Sequence, residues 1–196
     1  AVRQDGRSAS LTAPNGQAQQ GLLRSSLSEA GVTVESFAVC EAHGTGTPLG
    51  DPIEIGSLVA VVQSAGGGRS VLISGFKGNA AHGESTAGTN GLLKLALGLR
   101  AGEAAPNAQL RALNPHVGKT LRGTAYVLPA QLAACSSSSR CGGVSSFGYS
   151  GTIAHVILDC HPTLLQALVR MLYRRRVFAC CDAVKASSAH RLGQSS

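Results

Sequence analysis

The chain has 196 residues, 43% of them hydrophobic and only 4% aromatic, with 25 glycines and no tryptophan, which suits one globular domain with an Ala/Leu/Val-rich α/β core and argues against an all-β sandwich. The net charge of +7 is unevenly placed: residues 160–196 carry six Lys/Arg against one Asp, and residues 1–159 carry eleven against nine. The body is thus nearly neutral and the tail basic, which points away from a nucleic-acid reader and towards a solvated or adhesive segment.

Six cysteines (Cys40, Cys135, Cys141, Cys160, Cys180 and Cys181) form no Cys-x-x-Cys pair and no zinc-ligand spacing, so no metal site is expected. They read as free thiols of a reducing, intracellular compartment, either cytoplasm or an organelle matrix such as a plastid. No apolar run approaches the ~18 residues of a membrane span. Residues 1–5 are not a signal peptide, and a first residue other than Met suggests a fragment.

Residues 5–16 are polar and turn-rich, as in a surface loop. Ala18, Leu22, Leu23, Leu27 and Ala30 recur at helical spacing, and Gly31 is a stop signal. Phe37-Ala-Val-Cys40 predicts a short buried strand that runs into Glu41-Ala-His-Gly-Thr-Gly-Thr47. Asp51 as cap, Pro52 at the first position and Glu54 at the capping-box position predict the next helix. After the loop at 66–68, Val71-Leu-Ile-Ser74 predicts a second strand. A Gly/Ala-rich turn and an apolar helix to about Arg100 follow it. Residues 101–123 read as loop, 125–128 and 152–158 as strands, and the serine-rich stretch 135–140 as exposed and flexible. Residues 164–176 predict an amphipathic basic helix or a solvated tail. Domain boundaries are therefore expected at 1–159 and 160–196. Short apolar strands alternating with helices predict an α/β layered fold whose sheet is covered by helices.

Two of the strands end in glycine-rich loops that carry a histidine, His43 and His82. A lone loop histidine is often satisfied by its own turn. If these strands are neighbours, about 5 Å apart, both imidazoles reach one pocket, where they could stabilise an oxyanion or enolate or shuttle a proton. Other patterns are local turn chemistry. Gly44-Thr-Gly46 with Gly50 is one residue too long for a dinucleotide fingerprint, Leu113 replaces the first glycine of a phosphate loop, and no Gly-x-Ser-x-Gly elbow occurs.

Glu41-Ala-His-Gly-Thr-Gly-Thr-Pro-Leu-Gly-Asp-Pro-Ile-Glu54 resembles the first histidine motif of polyketide-type ketosynthases, and Lys77-Gly-Asn-Ala-Ala-His82-Gly-Glu-Ser-Thr-Ala-Gly88 resembles their second. Leu11-Thr-Ala-Pro-Asn-Gly16, Asn114-Pro-His-Val117 and Val144-Ser-Ser-Phe-Gly-Tyr-Ser-Gly-Thr-Ile-Ala-His-Val-Ile157 resemble three further family blocks, all in the family's order. The resemblance implies a thiolase-like α/β/α layered fold with a mixed sheet flanked by helices, of which this chain is the C-terminal half. It implies a decarboxylative Claisen condensation in polyketide or fatty-acid synthesis, joining an acyl thioester to malonyl on acyl carrier protein. The carrier's phosphopantetheine arm brings the substrate, and no cofactor is bound. His43 and His82 would then polarise the malonyl carbonyl, and Lys77 would organise the second histidine's network. Thr45 and Thr47 would hold the phosphopantetheine arm, and Phe147-Gly148 would gate the nucleophile. The partners implied are acyl carrier protein and an N-terminal half bearing the nucleophilic cysteine, with a homodimer in the complete domain.

The second motif departs from the family's Lys-Ser-Asn-Ile-Gly-His-Thr-Glu at Gly78, Ala80, Ala81 and Gly83, and Ile153 stands where the family has Asn. Ala81 puts a methyl group where the backbone turns tightly, and Gly78 removes a hydroxyl. Ala134-Cys-Ser-Ser-Ser138 imitates the family's nucleophile string but in the wrong place, downstream of both histidines, so Cys135 is read as coincidence. The chain alone is expected not to condense. A second reading, a non-condensing remnant used for docking or dimerisation, stays open. A third, nucleic-acid binding by the basic tail, predicts steep salt dependence.

Overall fold

The computed structural model describes residues 1–6, 13–64, 70–135 and 141–160. The loop at 66–68, the serines after Cys135, Cys180, Cys181 and the basic tail with its expected helix lie outside the described residues.

In chain order come β1 (Val2–Gln4), α1 (Gly16–Ala30), β2 (Phe37–Glu41), α2 (Gly50–Gln63), β3 (Val71–Ser74) and the single turn α3 (Lys77–Ala80). They are followed by α4 (Ala87–Ala101), β4 (Glu103–Ala104), α5 (Pro115–Leu121), β5 (Tyr126–Val127), β6 (Ala133–Ala134), β7 (Cys141–Phe147) and β8 (Thr152–Asp159). The six-stranded sheet has the order β1-β8-β7-β2-β3-β5. β2 pairs in parallel with both β3 and β7, and β5 with β3, while β8 runs antiparallel to β7 and β1. This is the mixed sheet expected.

Alternation along the strands divides the core into two layers. Val71 and Ile73 of β3 face one side, where Leu23 and Leu27 of α1, Leu58 and Val62 of α2 and Val117 of α5 pack with them. Val39 of β2 and Val144 of β7 face the other, against Leu95 and Leu99 of α4. The sheet is thereby covered on both faces, as a largely parallel sheet requires.

The ends of α1 follow from its sequence. Asn15 accepts the N–H groups of Gln17 and Ala18, and Gly31 closes the helix in the left-handed conformation at φ 62°. Two expectations are corrected, and one strand is unexpected. Residues 101–123 are not plain loop. Asn114 caps α5, with Pro115 at its first turn, and β4 pairs antiparallel with β6. The strand β7 is hidden by its composition, Cys-Gly-Gly-Val-Ser-Ser-Phe, which is poor in strand-favouring residues. Its glycines answer to packing: a Cβ on Gly143 would lie 2.2 Å from Nε2 of His155, and one on Gly142 2.9 Å from the Val39 carbonyl. Finally, Cys135 is buried rather than exposed, packed with Leu95, Leu99 and Ala104.

Candidate active site

Because β2, β3 and β7 run in the same direction side by side, their carboxyl ends open on one edge of the sheet, where α/β folds place their sites. From β2 comes His43, from β3 comes α3 with Lys77 and then His82, and from β7 comes Phe147. The imidazoles of His43 and His82 meet edge to face, with ring centroids 6.0 Å apart and planes at 86°. The ring of Phe147 lies 5.2 Å from that of His43.

Hydrogen bonds set the tautomers. Nδ1 of His43 accepts the backbone N–H of Phe147 at 3.3 Å, and Nδ1 of His82 accepts that of Glu84 at 2.9 Å. A ring nitrogen that accepts cannot carry the proton, so in each neutral ring the proton sits on Nε2. Both histidines therefore present an Nε2–H donor. For His43 the neutral form is enforced: burial, then the ammonium of Lys77, then His82 lower its pKa to about 4.

The structure brings Lys77 to His43 instead of to the second histidine. Its ammonium donates to the His43 carbonyl oxygen and lies 3.4 Å from Nδ1 of the same residue. Burial lowers the Lys77 pKa, opposed by Glu54, Glu41 and Asp51. The reason is register: Glu41 pairs with Ser74, so α3 starts level with the residues just beyond Glu41.

Glu54 and Asp51 also depart from their expected role. The N-cap position of α2 is Leu49, and neither acidic side chain caps the helix. Glu54 reaches back from its first turns, and its carboxylate accepts the N–H of His43 at 2.7 Å and that of Gly44 at 2.9 Å. Asp51 accepts the N–H of Gly46 at 3.1 Å. The acidic residues at the end of the first motif thus hold the histidine loop in place. Glu41, 2% exposed, does the same for the second strand. It accepts from Ser74 Oγ at 2.8 Å, from Lys94 Nζ at 2.7 Å and from the N–H of Phe76. Asn79 bridges α3 to the 106–108 segment, accepting from Ala108 N–H and donating to the Pro106 carbonyl. Sequence reasoning does not assign these four residues to this scaffold. The available signal is two glutamates at the ends of the first histidine motif.

Thr45 and Thr47 stand with hydroxyls 3.4 Å apart, Thr47 exposed and also accepting the N–H of Gly50. Gly148 belongs to the β7–β8 turn, its N–H bound to the Thr152 carbonyl at 2.7 Å. A cavity of about 740 Å³ lies behind the His43 loop, lined among others by Gly44, Glu54, Asn107 and Leu113. Its lining includes Ala42 and Gly44 on either side of His43, but neither imidazole.

A helix-covered mixed sheet with two motif histidines facing each other at its carboxyl edge defines a thiolase-like ketosynthase half. Comparison agrees. The family described as "Beta-ketoacyl synthase, C-terminal domain" matches residues 1–111, and the chain belongs to it. It is 39% identical over 167 residues to a subunit of the phenolphthiocerol/phthiocerol polyketide synthase of Mycobacterium tuberculosis, covering 85% of this chain and 8% of that protein. It is 40% identical over 163 residues to the spectinabilin polyketide synthase system protein NorC of Streptomyces orinoci, covering 83% of this chain and 7% of that one. Among solved structures, the Streptomyces albus oxazolomycin ketosynthase domain OzmH KS7 superimposes with a TM-score of 0.75 at 35% identity over 83% of this chain and 29% of its own. The ketosynthase from module 6 of the Bacillus subtilis bacillaene synthase gives a TM-score of 0.73 at 31% identity over 80% of this chain and 29% of its own. The chain thus spans a small part of the curated relatives it matches.

Proposed function

We propose that this chain supplies the decarboxylating histidines of a β-ketoacyl-acyl carrier protein synthase in polyketide or fatty-acid synthesis. One observation carries the reading: two histidines that follow adjacent strands stand with ring centroids 6.0 Å apart, and each has Nδ1 occupied by a backbone N–H, which leaves Nε2–H as its donor. A malonyl thioester whose carbonyl oxygen sits between those donors loses carbon dioxide as its C–C bond electrons move into the enolate. The two N–H groups stabilise the charge on that oxygen. The enolate carbon then attacks an acyl group held on a cysteine of the first half, and the new C–C bond forms as the thiolate leaves. Thr45 and Thr47 offer hydroxyls to the amides of the phosphopantetheine arm, and Phe147 stands against His43 where the acyl chain would enter.

The need for a first half is supported by α4, whose Leu93 and Leu97 are 56% and 64% exposed. With Leu132 and Phe76 they line a groove of about 460 Å³. An apolar outer face of this kind, on a helix whose other face covers the sheet, calls for a covering layer. The non-condensing reading draws on a different observation, the strained backbone of Ala81 (φ 67°) beside His82. The test is carbon dioxide release from malonyl-acyl carrier protein by the chain assembled with a cysteine-bearing ketosynthase first half. His43→Ala or His82→Ala should lower the rate by roughly 10²–10³-fold, the usual effect of losing one oxyanion donor. Equal rates for wild type and both variants would leave only the docking reading.

A further inference from the structure

Among the described residues only Ala81 and Glu84 are non-glycine residues with positive φ, at 67° and 45°, and they bracket His82. Ala81 is the more extreme. Its ψ of 174° puts it in a region open essentially to glycine alone. Such strain persists where the surroundings impose it, yet residues 78–86 are all exposed. The ends of the segment are tied. On one side Phe76 N–H is bound to Glu41, Asn79 to the 106–108 segment, and Ala81 N–H to the Lys77 carbonyl at 2.9 Å. On the other, Thr86 N–H is bound to the Gly83 carbonyl at 3.0 Å. Between these ties, among the described residues, the bond from Glu84 N–H to Nδ1 is the hydrogen bond that holds the His82 ring. With both ends tied, Ala81 can relax into an ordinary conformation only by displacing His82 between them, which takes its ring off His43.

We propose that residue 81 is a positioning residue that sets how often His82 stands against His43, and that alanine there biases the turn towards the disengaged position. This rests on the reading of the two histidines as a working pair. Glycine at 81 removes the steric penalty and raises the engaged-to-disengaged ratio by roughly tenfold, while a β-branched residue lowers it further.

The experiment uses the full chain with isotopically labelled histidine and measures the nuclear Overhauser effect between the ring protons of His43 and His82. Wild type is compared with Ala81→Gly, Ala81→Val and the control Ala80→Gly, which lies in α3 with ordinary dihedrals. The contact should strengthen in Ala81→Gly, vanish in Ala81→Val and stay unchanged in the control. Equal intensity in wild type and Ala81→Gly overturns the proposal, and that comparison suffices if the valine variant does not fold. The readout is geometric, so a chain that never decarboxylates malonyl would defeat the proposed function and leave this result standing.

Discussion

Glu54 holds His43 by its backbone: from the first turns of α2, one carboxylate oxygen accepts the His43 N–H at 2.7 Å while the other accepts that of Gly44 at 2.9 Å. The loop that presents the first imidazole is therefore tied to the helix that follows it. Glu54→Ala leaves both N–H groups without this partner and should cost about 3 kcal/mol in urea unfolding.

The same residue predicts a pH dependence. Burial is the largest influence on the Glu54 carboxyl and, against the bonds from Gly44 and His43, pushes it up to about 7 from an ordinary 4.5. Between those values the native state binds the proton more tightly than the unfolded chain does. The contribution of Glu54 is thus complete below pH 4.5 and declines as pH rises through 7. Glu54→Gln cannot ionise, so the stability of wild type relative to it should fall by about 3 kcal/mol across that window. A constant difference between the two proteins from acid to neutral pH would contradict this origin.

His43 should titrate near pH 4, held down first by burial and next by Lys77. Lys77→Met removes the neighbouring cation and should move the midpoint upward while burial keeps it below an ordinary imidazole. Histidine ring resonances followed against pH give both values. No movement on removing Lys77 would show that the ammonium does not act on this ring.

Glu41 and Lys94 form a salt bridge at 2.7 Å, with side chains 2% and 12% exposed. Removing one partner strands a buried charge, so Lys94→Met should destabilise by about 3–5 kcal/mol. The double variant Glu41→Gln with Lys94→Met should recover much of that loss. Denaturant unfolding of the two singles and the double closes the cycle.

Cys135 should be inert. It is buried, and burial followed by the charge of Glu103 raises its pKa. A thiol of this kind is a poor nucleophile. Native-state alkylation with iodoacetamide at pH 7.5 should leave Cys135 unmodified. Rapid modification of Cys135 would reopen its assignment as coincidence.

Much of this architecture is readable from residue patterns. The apolar spacing of Leu22, Leu23 and Leu27 with Gly31 behind them marks α1, and Phe37 to Cys40 and Val71 to Ser74 mark the parallel pair that brings His43 to His82. The strand β7 is not readable, because Gly142 and Gly143 are there for close contact with Val39 and His155 across the sheet. Such contact leaves no periodic signal. Glu54 misleads for a local reason: its spacing fits a capping box, but the competing acceptor site, two loop N–H groups, exists only once the loop folds back. The family resemblance implies that Lys77 serves His82, whereas strand register delivers it to His43. The strain at Ala81 is legible in outline as a methyl group at a tight turn. Its dihedrals show how far from alanine's usual range the backbone is held.

The central claim is that both rings, held side by side, carry their proton on Nε2. Nitrogen-15 spectra of the histidine rings in the intact chain test it directly. The account predicts the Nε2-protonated tautomer for the neutral form of His43 and of His82, with His43 uncharged at neutral pH. An Nδ1-protonated tautomer at either residue, or a His43 imidazolium at pH 7, would contradict it.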